Sequence, residues 1–368
     1  MAIVGAGPAG STLAALLARR GASVALIDRD TFPRDKVCGE FLSYDALPAL
    51  DEFGIDLSDA PKITRCRIVS RRRTFEFDFP HAARGVSRLR LDDLLVRNAV
   101  AAGAQALESC TATSIARDRV QTDRGEIRAR AVVGAWGRWG RFDQQLNRAF
   151  ATDKSHRNFG FKRHYCELRT ANRELIELYA FDKGYVGVSA IEGGQTNICG
   201  LVHASRLAGH KGKWEAFIDE IRREEPRVDA MYARYEPAQE AFLSSEPVIF
   251  HGRSAVEQGI FLVGDASGII DPLTGSGMAM AIQSAVLAAP FVLDAIAGKR
   301  DERKYAAEHH AFFAERIAWS RRVALLLSRP ALLDTALAVR PGVGIGTFLL
   351  RKTRGETDQI LRRLRGSG

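Results

Sequence analysis

The sequence predicts an α/β (α+β) protein of two lobes, in which an antiparallel β-sheet lobe is inserted into a parallel-sheet lobe and the chain ends in helices. Three observations predict this fold. The first residues run from an apolar strand through a glycine-rich turn into a helix, and a similar unit recurs near residue 260. Between them, residues 159–249 alternate like an antiparallel sheet. Because the two glycine-rich units lie far apart in the chain, we expect the parallel lobe to be discontinuous.

Composition and charge bound the class of protein. Of the 368 residues, 46% are hydrophobic and 26% charged, as in soluble proteins, and no apolar run looks long enough to span a bilayer. The first glycines fall at the spacing of a ligand-binding turn rather than of a signal peptide, so we expect a cytoplasmic protein. The net charge of +9 suits nucleic acid, an anionic membrane or a phosphate-bearing cofactor. No nucleic-acid-binding motif accompanies it, so we expect no nucleic-acid partner. The five cysteines form neither CxxC pairs nor His–Cys clusters, which predicts no disulfide framework and no metal site.

The first glycine-rich unit predicts a dinucleotide site. An apolar strand leads into GAGPAG at residues 5–10, a helix follows at 11–20, and a second strand at 23–27 ends at an acidic residue. The first glycine permits the tight turn, the second lets the backbone approach a pyrophosphate, and the third allows close helix packing, while the acid accepts a ribose hydroxyl. The candidate cofactor-binding residues here are Gly5, Gly7, Pro8, Ala9, Gly10, Asp28 and Arg29.

The second unit identifies the dinucleotide by resemblance. The strand at 259–263, the Gly264–Asp265 pair and the loop to residue 277 resemble the second FAD fingerprint, GDAxxxxxPxxGxG, of p-hydroxybenzoate-hydroxylase-type flavoproteins. The resemblance implies a Rossmann-like FAD-binding lobe of the GR2 type, in which the acid binds the ribityl chain and the loop lies beside the isoalloxazine ring. Glycines and a helix N-terminus there suit the flavin edge where negative charge settles on reduction. The candidate residues are Gly264, Asp265, Pro272, Gly275, Ser276 and Gly277.

A third segment, VSRLRLDDLL at 86–95, resembles the RxxLDxxL segment of the same family. There the arginine, here Arg88, reaches back towards the FAD. Taken alone, Arg88 and Asp92 would instead suit a solvated pair at a helix start. The order of the motifs along the chain favours the family interpretation.

The segment FPRDKVCGEFLS at 32–43 resembles a loop of the geranylgeranyl-reductase branch, and flavin-dependent halogenases have a related version. In both branches this loop runs along the flavin, which makes Cys38 and Glu40 the candidate catalytic residues. The alternative for Cys38 is a small buried apolar group.

Three departures from related families bear on the reaction. Trp136 stands where many flavin hydroxylases have the Asp of a Gly-Ala-Asp-Gly motif that handles cofactor phosphates and the nicotinamide donor. The external electron donor is therefore left open among NADPH, NADH and a reductase partner. The halogenase WxWxIP signature is absent, which argues against halogenation, and residues 184–191 lack the aromatic-Phe-Pro pattern of prenyl reductases.

The middle region predicts the substrate lobe. Strand-like runs occupy 160–167, 177–180, 185–190 and 196–202, with a helix at 214–225. In the family such a sheet covers the flavin, and residues on its inner face contact substrate. The candidate substrate contacts are Lys162, His164, Tyr179 and Tyr185, each of which depends on the phase of its strand.

The C-terminal part is helical and basic, with predicted helices at 305–328, 330–338 and 348–365. Two apolar runs, 325–327 and 348–350, are flanked by basic residues, which predicts either peripheral membrane contact through an interfacial helix surface or a packed core with a solvated edge. The flanking residues are Arg321, Arg322, Arg351, Lys352 and Arg354.

Together these features predict a domain organisation and a function. The FAD-binding domain comprises 1–60, 85–150 and 250–295, the substrate-binding sheet 61–84 and 151–249, and the helical region 296–368. The family resemblance implies an FAD-dependent oxidoreductase. The favoured reaction is hydroxylation or epoxidation of an apolar or aromatic small molecule; the alternatives are reduction of a carbon–carbon double bond and a non-catalytic flavin-binding redox sensor. The sequence does not indicate how many copies of the chain assemble.

Overall fold

The strands and helices come from a computed structural model that describes residues 1–138, 140–153, 157–168, 172–210, 212–240, 242–339, 343–355, 357 and 360–362. In chain order the strands are β1 Ala2–Val4, β2 Ala25–Ile27, β3 Phe41–Leu42, β4 Lys62–Val69, β5 Thr74–Gly85, β6 Gln105–Leu107, β7 Ala112–Ala116, β8 Arg119–Thr122, β9 Gly125–Arg128, β10 Val132–Gly134, β11 Asn158–Glu167, β12 Leu175–Phe181, β13 Gly184–Ala190, β14 Gln195–His203, β15 Tyr235–Pro237, β16 Leu243–Ser244, β17 Val256–Glu257 and β18 Ile260–Leu262. The helices are α1 Pro8–Ala18, α2 Leu47–Glu52, α3 Arg88–Ala101, α4 Arg141–Gln145, α5 Ala204–Leu207, α6 Trp214–Glu224, α7 Pro226–Tyr232, α8 Gly277–Ile296, α9 Glu302–Leu327, α10 Pro330–Val339 and α11 Val343–Thr353.

The first sheet has the order β17-β18-β10-β1-β2-β6 and is parallel apart from its edge strand β17. Its central strands are short and apolar because both faces are covered. Helices α1, α3 and α8 pack on one face, and the three-stranded β7-β8-β9 sheet covers the other. This arrangement brings the carboxyl ends of β1, β2 and β10 to one edge, where ligands of such sheets bind.

The second sheet runs β15-β11-β14-β13-β12-β4-β5-β3, with β16 also pairing with β11. Its neighbours are antiparallel except for the parallel pair β4–β12. One face packs against α6 and α7, and the other faces a cavity and the C-terminal helices. The predicted fold class, a parallel-sheet lobe with an inserted antiparallel sheet and a helical C-terminus, is confirmed.

One sequence expectation about apolar runs was wrong. Helix α8, with a mean hydropathy of 1.7 over its apolar window, is long and apolar enough to cross a membrane by length and composition. In the fold, 67% of the apolar stretch of α8 is buried, and α8 packs against α1 in the core of the first lobe. Its composition is therefore that of a central core helix.

Buried polar contacts attach the C-terminal helices to the first lobe. The Tyr305 hydroxyl donates to the Leu262 carbonyl at 2.8 Å, and Arg316 donates from Nη1 to Gln283 Oε1 at 2.7 Å. Burial lowers the pKa of Arg316 to about 10, and Asp45, 3.3 Å away, partly opposes this effect. Helix α9 is thereby fixed to α8 and to the loop before α2.

Candidate functional site

A cavity of about 540 Å³ lies between the carboxyl edge of the first sheet and one face of the second sheet. The first lobe contributes the glycine turn after β1 together with charged side chains, whereas the second contributes a largely apolar wall. Of the candidate cofactor-binding residues, those lining the cavity are Gly5, Gly7, Pro8, Ala9, Asp28, Arg29, Arg88, Gly264, Asp265, Pro272, Gly275 and Gly277.

The glycine turn after β1 is shaped for a diphosphate. A Cβ at Gly5, where φ is +107°, would overlap the Ala135 carbonyl, and a Cβ at Gly10 would overlap the Gly5 carbonyl. Gly7 differs, because the nearest atoms to its Cβ position are guanidinium nitrogens of Arg88 and Arg34, at 3.8 and 4.0 Å. An anion above Gly7 would therefore meet two cations and the N-terminus of α1.

The acid at the end of β2 is oriented by the backbone. Asp28 Oδ2 accepts a hydrogen bond from the Ala6 N–H at 2.7 Å, and Oδ1 accepts from the Asp30 N–H at 3.0 Å. This geometry keeps the carboxylate at the cavity edge, where a ribose hydroxyl would donate to it. The neighbouring Arg29 side chain is 63% exposed and lies at the cavity rim, 3.8 Å from Asp30.

Arg88 and Asp92 form a buried pair, so the solvated-pair alternative does not hold. Arg88 donates from Nε and Nη2 to the two Asp92 oxygens at 2.7 and 2.6 Å, and Arg34 Nη1 donates to Asp92 at 3.1 Å. Burial by itself would lower the pKa of Arg88, but Asp92 outweighs it and the pKa lies above its ordinary value. Arg88 thus remains charged, and the shared carboxylate of Asp92 holds both arginines beside Gly7.

The loop before α8 presents open backbone to the same cavity. Gly275 adopts a left-handed φ of +65° and packs on Phe41, while nothing lies within 4 Å of the Cβ position of Gly277. Asp265 also lines the cavity, with Oδ2 3.7 Å from Arg138 Nε. The open approach at Gly277 and the N-terminus of α8 fit the ring end of a flavin, as the cations at Gly7 fit its phosphates.

Two candidate cofactor residues lie behind the cavity surface. Gly10 has a packing role, as expected for the third glycine of the turn. Ser276 does not contact the cavity: it is fully buried, and its Oγ donates to the Thr353 carbonyl at 3.1 Å. Ser276 instead joins the loop before α8, residues 264–276, to the end of α11. This loop is called the flavin loop below.

Glu40 is the centre of a buried network, which corrects the predicted substrate contacts Lys162 and His164. Glu40 has a φ of +54° and no exposed surface. Its Oε1 accepts from the Arg88 N–H at 2.7 Å and from Lys162 Nζ at 2.5 Å, and Oε2 lies 2.7 Å from His164 Nε2. Lys162 also contacts Asp35. Because these acids cover the two basic side chains, Lys162 and His164 do not line the cavity.

Cys38, one of the two predicted catalytic residues, lines the cavity wall. Its carbonyl accepts from Asn197 Nδ2 at 2.9 Å, and its Sγ accepts from the Glu40 N–H at 3.5 Å. Cys199 lines the same wall, and burial, followed by the nearby Cys38, raises its pKa to about 12. Cys199 is therefore a neutral thiol at physiological pH.

The two tyrosine candidates lie on opposite faces of the second sheet. Tyr185 is paired with Ala180 and lines the cavity. Tyr179 precedes Ala180 in β12 and points away from the cavity. Its hydroxyl donates to Glu177 at 3.0 Å, and its ring belongs to the apolar cluster under α7. The prediction of Tyr179 as a substrate contact was wrong because successive strand residues alternate between faces.

Sequence reasoning missed two residues near the cavity, Arg34 and Asp271. Arg34 belonged to the recognised 32–43 segment, so its charge was a usable signal. Asp271, just before Pro272, is buried, and this burial raises its pKa to about 7. In the sequence, only the place of Asp271 directly before Pro272 of the fingerprint pointed to it. Trp136, which the sequence already marked as a departure from the family, fills the space over Gly134, and the centres of the Trp136 and Phe142 rings are 5.1 Å apart. An apolar ring therefore packs where the hydroxylases have an aspartate.

Comparisons with known proteins agree with this geometry. A family model described as an FAD binding domain matches residues 1–320. A menaquinone reductase of Mycobacterium tuberculosis is 26% identical over 100% of this chain and 94% of its own length, and a tryptophan 2-halogenase of Chondromyces crocatus is 28% identical over 81% and 62%. The crystal structure of a geranylgeranyl bacteriochlorophyll reductase-like protein of Thermoplasma acidophilum superposes with a TM-score of 0.74 at 19% identity, covering 99% of this chain and 98% of that one.

Proposed function

The chain belongs to the FAD binding domain family, and within that family we propose that it reduces a carbon–carbon double bond of an apolar, polyprenyl-type substrate. That it is an FAD-dependent oxidoreductase follows from the family and its relatives. The residues that would hold FAD are Gly7, Asp28, Arg34, Arg88, Asp265, Gly275 and Gly277. The proposal concerns the reaction and the substrate class.

The observation that carries the proposal is the apolar wall of the cavity. Ile176, Leu178, Tyr185 and Leu201 project from the second sheet, and Leu273 faces the cavity from the flavin loop. These side chains belong to one apolar cluster that continues beneath the C-terminal helices. A prenyl chain has no polar groups to satisfy, so such a wall binds it by burial alone.

Asp271 and Tyr185 are suited to supply the proton of this reaction. Reduced FAD, when bound, supplies the hydride that forms one new C–H bond, and the other alkene carbon must take up a proton. The pKa of Tyr185 is raised first by burial and next by Asp271, so the two groups lie within electrostatic reach. We assign the protonated Asp271 as the acid and Tyr185 as the group that passes the proton to the substrate. Solvent then reprotonates the carboxylate.

Similarity along the whole chain adds support. The menaquinone reductase aligns with all of this chain, and a menaquinone is a quinone with a prenyl tail. The expected donor of electrons to FAD stays NADPH, NADH or a reductase partner. Trp136 offers no carboxylate at the position where hydroxylases use one.

Oxygenation of an apolar or aromatic small molecule is the second candidate. It is favoured by the complete loop from Pro272 to Gly277 and by the 28% identity to the tryptophan 2-halogenase. The same loop argues against a non-catalytic redox sensor, because a sensor does not need a substrate cavity beside the isoalloxazine ring.

The experiment mixes the FAD-loaded, chemically reduced protein with a polyprenol or with a menaquinol, whose ring is already reduced and cannot accept the electrons, in the absence of oxygen. The proposal expects the visible absorbance of oxidised flavin to return and the product to be heavier by two hydrogens. Oxygenation instead predicts no anaerobic return, with a labelled oxygen atom in the product after labelled oxygen is admitted. Tyr185→Phe should slow the anaerobic return with little effect on FAD content.

A further inference from the structure

Helix α10 has an outward face without charge. Leu332 is 49% exposed, and the other described residues of that face are small or neutral: Ala331, Thr335, Ala336 and Ala338. The one charged residue of the helix, Asp334, is turned inward, where it contacts the Ser70 hydroxyl and accepts from the Arg72 N–H at 3.3 Å. A solvated surface helix normally carries charges on its outer face, so this face is built for a less polar environment.

The helices α9 and α11 also expose large apolar side chains. Leu325 at the end of α9 is 55% exposed, and Phe348 on α11 is 38% exposed. Trp319 packs edge-on against Phe348 with ring centroids 5.2 Å apart, which joins the two helices. Three large apolar side chains, one from each C-terminal helix, are therefore presented to solvent.

The same three-helix segment also exposes arginines. Arg322, Arg329 and Arg351 are exposed, and the Arg322 guanidinium lies 4.9 Å from the centre of the Trp319 ring. Glu315, an acid on α9, is paired with Lys352 at 2.6 Å. Helices that lie in a membrane interface combine apolar side chains with basic residues. The core of a protein–protein interface is instead depleted of charged residues.

The inner side of the same helices faces the substrate wall. Leu327, Leu333 and Leu350 are buried in one cluster with Leu178 and Tyr185, which line the cavity. One apolar layer thus separates the exposed strip from the apolar part of the cavity.

We propose that this surface, comprising Leu325, Leu332 and Phe348 with Arg322, Arg329 and Arg351, docks onto the anionic headgroups of a lipid bilayer. The leucines and the phenylalanine enter the boundary between headgroups and acyl chains, and the arginines pair with lipid phosphates. The inference does not depend on which reaction the flavin performs.

The test is co-sedimentation of the full-length FAD-loaded protein with vesicles of phosphatidylcholine, with or without phosphatidylglycerol. We expect binding to the mixed vesicles that weakens with salt. The variant L325S/L332S/F348S should lose binding by about tenfold or more. R322Q/R329Q/R351Q should lose the preference for phosphatidylglycerol.

The matched control is L89S/V100S/L168S, which removes three apolar side chains that are 38, 49 and 52% exposed elsewhere. It should bind vesicles like the unchanged protein, while flavin content and melting temperature report folding in all variants. Failure of the unchanged protein to sediment with the anionic vesicles would overturn the proposal, as would an equal loss in the control. A shift from dimer to monomer in L325S/L332S/F348S, without any vesicle binding, would identify the surface as a contact between two copies.

Discussion

At the scale of single residues, Asp271 is a carboxyl group whose environment departs strongly from that of a free side chain. Its folded pKa is about 7 against 3.8 for an ordinary carboxyl, because burial disfavours the charged form. The folded state therefore binds more protons than the unfolded state between those two values. A buried acid of this kind suits a proton donor at neutral pH.

We predict that this acid makes the protein less stable as pH rises. The free energy of unfolding should fall by roughly 4 kcal/mol between about pH 4 and pH 7 relative to Asp271→Asn, and stay level above that. Urea unfolding of both proteins across this range gives the difference. A difference that is flat with pH would mean that Asp271 titrates normally.

Glu40 is expected to stabilise the fold as well as the site. Glu40→Ala leaves the fully buried Lys162 ammonium with Asp35 as its remaining acidic partner in the network, so we expect a loss of about 3–5 kcal/mol in the free energy of unfolding. Flavin should still bind at saturation, and turnover should change because Glu40 accepts from the backbone of Arg88. The double variant Glu40→Ala/Lys162→Met should lose less than Glu40→Ala, as measured by chemical unfolding. Additive losses would show that the pair is not coupled.

Asp265 is predicted to contribute a hydrogen bond to the ribityl chain. Asp265→Ala should weaken FAD binding by about tenfold, which corresponds to one lost hydrogen bond to a charged group. Flavin retained after gel filtration measures this effect. Asp294→Ala, an exposed acid on α8, is the matched control. Equal flavin retention in both variants would remove Asp265 from the cofactor site.

At the scale of elements, the unit β1–turn–α1 separates two roles of glycine. Ala at position 10 would overlap the Gly5 carbonyl, whereas Ala at position 7 meets no protein atom closer than 3.8 Å. Ordinarily an alanine stabilises a helix relative to glycine. Here the overlap at Gly10 outweighs that gain.

We therefore expect opposite results from two similar substitutions. Gly10→Ala should lower the melting temperature of the apoprotein. Gly7→Ala should leave it nearly unchanged but weaken FAD binding by more than about tenfold, because the methyl group occupies the path of the pyrophosphate. Calorimetry of the apoproteins and FAD titration distinguish these effects. Loss of apoprotein stability in Gly7→Ala would contradict the assignment of Gly7 to the ligand.

At the scale of the whole molecule, the cavity lies between two lobes whose cores are distinct clusters. A ligand that contacts both lobes stabilises both by mass action. FAD at about a thousand times its dissociation constant should add roughly 4 kcal/mol to the free energy of unfolding. Scanning calorimetry should show the whole transition move to higher temperature. Movement of one part alone would confine the cofactor to a single lobe.

Local chemistry explains which features the sequence predicted. The turns at Gly5 and Gly275 need backbone conformations or close approaches that glycine provides, so their positions were readable and led to the cofactor. The alternation of residues along β11 to β14 likewise predicted an antiparallel sheet, and this fold class is confirmed. Burial of α8 was not readable, because core helices and membrane helices share the same composition.

By itself, then, the sequence determined the two glycine-rich turns, the parallel and antiparallel sheets, and the family, since each depends on residues close together in the chain. Only the tertiary structure decided the environments of the side chains. It sequestered Lys162 and His164 under Glu40, more than a hundred residues earlier in the chain, and it turned Tyr179 away from the cavity. It also buried Asp271 within electrostatic reach of Tyr185, where the low polarity of the surroundings raises the pKa of the acid.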